Sequence, residues 1–249
     1  MRFFKLTISY DGTNFAGWQF QPGQRTIQAT IEKTLAAICG HEIKAVASGR
    51  TDAGVHALGQ VVSFASSTHH SSRVLFQALN AELPDDVSVL NVEEAPDGFH
   101  AIRDATGKRY RYVFDDGPLR DVFRRQFVWQ TFRRLDVEAM HRAAQTLRGT
   151  HDFSSYESSG AERSSSVRTI RDISVRRLAP PHESEVHLEV EADGFLYNMV
   201  RTIVGTLVPI GKGRAAETWP AEVLAARDRR VAGETAPARG LVLLRVDYD

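Results

Sequence analysis

Hydrophobic periodicity along this 249-residue chain switches between two and about 3.6 residues in the same order twice, which limits the possible folds more than any single motif does. In the first half, Phe4, Leu6, Ile8 and Tyr10 alternate with Lys5, Thr7 and Ser9, a half-buried strand that ends at Asp11-Gly12. Ile27, Ile31, Leu35 and Ile38 then recur at helical spacing, with Thr26 to cap the start and Gly40 to stop the end. Residues 44–47 and 60–65 read as two strands, 74–83 as a helix and 87–92 as a closing strand. The second half repeats this β-α-β-β-α-β order with longer loops. It has a strand at 108–114, a helix at 136–148 that Gly149 terminates, and strands at 167–175 and 186–190. An apolar helix through Met199, Val200, Ile203, Val204 and Leu207 follows, then a helix opened by Pro220 and a last strand at 241–246. The expected class is α+β: two tandem ferredoxin-like βαββαβ units sharing an antiparallel-rich sheet, with helices on one face and an active-site cleft between the halves. The order of elements carries this reading, without a repeat in the sequence itself. The boundary falls near residue 105, giving halves 1–104 and 105–249.

With 42% hydrophobic and 25% charged residues the chain reads as an ordinary globular protein. Residues 1–10 lack the apolar core of a signal peptide and no apolar run elsewhere approaches a membrane span, so the expected location is the cytoplasm, without membrane association. Cys39 is the single cysteine, which excludes an intrachain disulfide and a cysteine-rich zinc site. The formal net charge is zero, but residues 101–181 carry 16 basic against 10 acidic side chains, while 1–100 carry 7 against 10 and 182–249 carry 8 against 11. Of the 31 basic residues 26 are Arg, whose planar fork suits phosphate oxygens and stacks on bases. Coding bias can favour Arg over Lys, but it does not account for the clustering. Residues 154–166 hold seven serines and read as a mobile loop, with Arg163, Arg168, Arg171, Arg176 and Arg177 in or just after it. Such a loop suits gripping a phosphate backbone, and equally suits a solvated loop with no partner.

Several familiar chemistries are excluded. Residues 205–213 (GTLVPIGKG) miss the phosphate-loop pattern, because five residues separate Gly205 from Gly211 and Gly213 stands where Ser or Thr is required. The Gly211-x-Gly213-x-x-Ala216 run follows an apolar helix instead of a strand, so it is no dinucleotide fingerprint. None of the nine histidines falls in a zinc spacing, and no G-x-S-x-G elbow is present. The chemistry is left to carboxylates, arginines and aromatics, with no metal and no cofactor.

Residues 48–64 (SGRTDAGVHALGQVVSF) place Arg50, Asp52 and His56 on one expected loop between two strands. Asp near Gly is ordinary turn chemistry; beside Arg50, the same carboxylate is also suited to stay ionised and act as a nucleophile or electrostatic stabiliser. Arg201, lodged in an apolar helix, either faces solvent or is buried and paired, and Asp52 across the expected cleft is then its candidate partner. In residues 108–114 (KRYRYVF), alternation sends Tyr110, Tyr112 and Phe114 to one face and Arg109 and Arg111 to the other. Tyr112 and Phe114 suit a core; Tyr110, at the strand's start, can reach out and stack on an unstacked base.

At these residues the chain resembles the tRNA pseudouridine synthase A family. The shared strings are Tyr10-Asp11-Gly12-Thr13 with Phe15-Ala16-Gly17-Trp18-Gln19, Gly49-Arg50-Thr51-Asp52-Ala53-Gly54-Val55-His56-Ala57 and Phe99-His100-Ala101. Lys108-Arg109-Tyr110-Arg111-Tyr112, Asn198-Met199-Val200-Arg201-Thr202-Ile203-Val204-Gly205 and Ala236-Pro237-Ala238-Arg239-Gly240-Leu241 complete the set, in family order across nearly the whole chain. Arg239 stands at a position expected to vary. The resemblance implies an isomerase that converts uridine to pseudouridine at tRNA positions 38, 39 and 40 in the anticodon stem-loop, working as a homodimer without metal or cofactor. It implies Asp52 as the catalytic aspartate and Tyr110 as the substrate-binding tyrosine, with Arg50 and Arg201 lining the site. His56, Arg168 and Arg171 join them as expected substrate contacts. Two other classes remain open on the residues alone: a carboxylate-dependent nucleosidase, which normally needs a second acid, and a non-catalytic RNA-binding module, which needs no acid.

Overall fold

The computed structural model describes residues 1–160 and 165–249. Its elements run β1 (Arg2–Tyr10), α1 (Ile27–Cys39), β2 (Val46–Ala47), β3 (His56–Ser66), α2 (Ser72–Glu82), β4 (Val87–Ala95) and β5 (Ala105–Asp115). Then follow β6 (Trp129–Gln130), α3 (Val137–Gln145), β7 (Gly149–Asp152), β8 (Val167–Arg177), β9 (Glu185–Ala192), α4 (Met199–Gly211), α5 (Trp219–Ala226) and β10 (Leu241–Tyr248). This is a mixed α/β fold with mostly antiparallel strand pairing. The chain divides into two units, residues 1–106 with 242–249, and residues 107–241. Residues 242–249, expected to close the second half, are thus grouped with the first.

In the first unit β1 is flanked by β3 and β4, both antiparallel to it, with Leu6 opposite Val62 on one side and Val92 on the other. The alternation read from the sequence is the burial pattern found: Phe4, Leu6 and Ile8 are fully buried. β2 pairs antiparallel with β3 at Ala47 and Val62, so β1 and β2 run the same way with β3 between them, the split βαβ arrangement. β10 runs parallel to the start of β3, with Val242 opposite His56. Helix α1 begins where expected, because the Thr26 hydroxyl accepts from the Ala29 N–H at 3.3 Å. It stops at Gly40, which takes a left-handed conformation (φ +77°) and donates its N–H to Ala36 O. Its core face is Ile27, Ile31 and Leu35, each contributing about 1.5–3 kcal/mol by burial. The helix expected at 74–83 starts earlier, at Ser72, because Ser71 caps it. β3 starts at His56 instead of residue 60, which shortens the loop that carries Asp52.

In the second unit β5, β9, β8 and β7 form an antiparallel succession, and β6 runs parallel to β5. Tyr112 and Phe114 of β5 are fully buried, as are Val186, Leu188 and Val190 of β9. The short strands β6 and β7 had no readable period. Helix α3, capped by Asp136, ends at Gln145; Gly149, expected to terminate it, instead opens β7 with φ +105°. The serine-rich stretch is packed at its start: Ser154–Tyr156 form a single 3-10 turn in which Ser155 and Tyr156 are fully buried, and the Tyr156 hydroxyl donates to Pro220 O. The centre of that expected mobile loop, residues 161–164 with Arg163, lies outside the described residues. Among the described residues no helix is long and apolar enough to cross a membrane.

Candidate active site

Asp52 sits half-buried at the head of a tight turn, its carbonyl accepting from the Val55 N–H at 3.1 Å while Gly54 takes φ +77°. Two glycines let the segment after β1 close on this turn. A Cβ at Gly12 would lie 2.0 Å from Val55 O, and one at Gly17 would lie 2.7 Å from Thr51 O. Beside Gly17, the Trp18 N–H donates to Thr51 O at 2.9 Å. The same two residues receive the first turn of α1, through Ile27 N–H to Gly17 O and Gln28 N–H to Trp18 O. The turn is therefore tied by backbone bonds to a helix, the kind of rigid support a working side chain needs.

Below the turn lies a buried polar network. Gln60, fully buried on β3, accepts from the Ser48 hydroxyl at 2.7 Å and donates to Gly49 O at 2.9 Å. The Tyr10 hydroxyl lies 2.8 Å from the Thr51 hydroxyl, next to Asp52, and burial raises its pKa to about 12. Each member has partners, so the network fixes one position for residues 48–51. Sequence reasoning missed Gln60, Ser48, Thr51 and the clamp at Gly12 and Gly17. A polar Gln inside an otherwise apolar strand was the available signal.

Arg50 is exposed. His56 is not on the loop at all. It is the first residue of β3, 6% exposed, with Nδ1 at 3.1 Å from both the Gly12 N–H and Asp11 Oδ1. A neutral Nδ1 accepts from Gly12; in either state the ring braces the end of β1.

In the second unit Tyr110 is 7% exposed in the middle of β5, with its ring edge-on to Phe195 at 5.0 Å between centroids. Arg201 lies in the first turn of α4, half-buried. Its Nε donates to Ala236 O at 2.7 Å and a terminal nitrogen donates to Asn198 Oδ1 at 2.8 Å. The Tyr112 hydroxyl donates to Pro237 O at 2.7 Å; burial drives its pKa up, against the charges of Arg201 and Arg239. The 236–240 segment thus gathers around β5 and the head of α4.

The basic middle of the chain is largely neutralised. β9 lies between β5 and β8, so Glu189 receives Arg109, Arg111 and Arg176, Glu191 receives Arg109, and Asp172 also meets Arg109. Burial would raise the Glu189 pKa, but the bonds from Arg111 and Arg109 outweigh it and hold the group below the usual carboxylate range. Arg177 is bound by Asp116 at 2.8 Å. Arg168 packs across Gly194 and donates to Ser165 O, and Arg171 is exposed at a register shift in β8. Among the described residues no group of three His, Cys, Asp or Glu is placed to hold a metal ion.

The family model described as tRNA pseudouridine synthase matches residues 6–103 and 143–249. "tRNA pseudouridine synthase A" of Thermoanaerobacter sp. (strain X514) is 40% identical over 248 residues, covering 100% of each chain. The proteins of that name from Shouchella clausii and Halalkalibacterium halodurans are 46% and 47% identical, covering 97% and 95% of this chain and 91% and 89% of theirs. Among solved structures, "Crystal Structure of a Cbf5-Nop10-Gar1 Complex" is matched at a TM-score of 0.36 and 13% identity over 96% of this chain and 57% of that one. The family model and the three relatives named tRNA pseudouridine synthase A define an isomerase of the pseudouridine synthase class. The chain belongs to the tRNA pseudouridine synthase family.

Proposed function

We propose that this protein isomerises uridine to pseudouridine at tRNA positions 38, 39 and 40, with Asp52 as its catalytic residue. The reaction breaks the C1′–N1 bond, turns the uracil, and joins C1′ to C5; the C5 proton leaves and N1 gains one, so nothing is oxidised or reduced. A uridine in a stem must be flipped out, which costs a few kcal/mol offset by stacking and backbone contacts. Tyr110 and Arg201 are substrate contacts, and Arg50, Arg168 and Arg171 meet phosphates. His56 contributes by bracing the turn. The observation that carries this reading is the braced Asp52 turn: a solvated loop acid needs neither a two-glycine clamp nor a buried network beneath it. The protein works as a homodimer in the cytoplasm. Leu119, Val122 and Phe123, 81%, 57% and 88% exposed, favour a covering second copy.

The test is tritium release from [5-³H]uridine-labelled anticodon stem-loop RNA, with RNA binding measured in parallel. Wild type releases tritium and Asp52→Ala does not, while Asp52→Ala still binds. Release of free uracil would indicate a nucleosidase instead, and binding without any release from wild type would indicate a non-catalytic RNA-binding protein.

A further inference from the structure

Arg120, Arg125 and Arg239 differ from the neutralised arginines of β5 and β8. All three are exposed, and none pairs with a carboxylate among the described residues. They line one pocket of about 240 Å³ in the second unit, together with Val128, Gln130 and Phe132. Arg239 is held there by its Nε bond to Val128 O at 3.2 Å, and Arg125 by its bond to Val122 O. Gln130, 9% exposed, turns its Nε2 to Gly117 O at 2.8 Å with Asp115 Oδ1 at 3.5 Å, two acceptors that fix the amide's orientation. Its Oε1 is left buried with no partner. Phe132 is 53% exposed with φ +53°, a backbone conformation an aromatic residue rarely adopts and one that tends to mark functional positions. The Arg120 guanidinium lies 5.6 Å from its ring centroid.

Three uncompensated guanidinium groups call for an anion, and an exposed ring calls for a planar partner. A bare phosphate or a protein carboxylate meets only the first need. A nucleotide meets both, with its phosphate and its base. We propose that this pocket is a second RNA subsite, holding one nucleotide of the bound RNA other than the uridine being isomerised. Its phosphate lies among Arg120, Arg125 and Arg239 and its base on Phe132. The assignment rests on the reading that the substrate is RNA.

The test uses the full-length protein with a labelled tRNA transcript. Phe132→Gly removes the ring while suiting the left-handed backbone, so its melting temperature should not fall. It should weaken tRNA binding by about 5- to 100-fold. Arg120→Ala with Arg125→Ala should flatten the slope of log K against log salt by about one for each phosphate that the variant no longer neutralises. In both variants KM rises while kcat at saturating tRNA stays at wild type. Wild-type affinity and salt slope in both would overturn the proposal, and tritium release by the same wild-type preparation would show that the functional reading still stands. If no tritium is released, the functional reading fails, and the binding comparison still decides the pocket. Titration with uridine 5′-monophosphate separates the sources. Binding that Phe132→Gly abolishes, alongside unchanged tRNA affinity, would make this a free-nucleotide site and overturn the RNA assignment.

Discussion

Gly17 and Gly23 both have positive φ, +91° and +74°, but only Gly17 has a neighbour in the way. Alanine in a left-handed conformation costs about 1 kcal/mol at either site. At Gly23 a Cβ meets nothing within 4 Å, so that is the whole cost. At Gly17 the Cβ lies 2.7 Å from Thr51 O, about 0.7 Å inside the 3.4 Å at which ordinary contact begins. The atom in the way is backbone and adjoins Asp52, so the turn has to move by roughly that distance. Misplacing a reacting group by about 1 Å costs on the order of 10²-fold in rate. Gly17→Ala should therefore lose about 10- to 100-fold in kcat for pseudouridine formation, whereas Gly23→Ala should keep wild-type kcat with a similar small loss of stability. Single-turnover tritium release and urea melts on the three proteins give both quantities. Equal kcat in the two variants would refute the argument that Gly17 positions the catalytic turn.

Gln60→Leu keeps the volume but strands the Gly49 carbonyl, at about 1–3 kcal/mol. A stability lowered by about 1–3 kcal/mol in urea melts, together with reduced kcat, is expected; an unchanged urea midpoint would remove the network from the account. Stability should also fall on acidification from about pH 7 toward pH 4. Burial, with Arg111 and Arg176 nearby, pushes His187 below its usual pKa of 6.5 despite Glu185. Bonds from His187 and Arg124 hold Glu185 below 4.5 despite burial. For both groups the unfolded chain binds more protons in that range, so stability is present above the unfolded pKa and lost as pH falls. Thermal melts across pH 4–8 would show it, and His187→Gln should shallow the slope between pH 5 and 7; the same slope in that variant would assign the loss to other groups.

The sequence determined the local order. Period-two alternation fixed β1, and the Thr26 and Gly40 caps bounded α1, because these signals act between residues close along the chain. The string around Asp52 marked the candidate turn for the same reason. Pairing between distant segments left no such trace. The sequence showed a basic middle, but only the placement of β9 between β5 and β8 decided that Glu189 and Glu191 neutralise Arg109, Arg111 and Arg176. It placed His56 on a loop, whereas pairing with β10 and the bond from Gly12 draw it into β3. Charge and burial are sums over neighbours in space, so which arginines stay free for a ligand and which side chains hold Asp52 in place were settled by tertiary contacts alone.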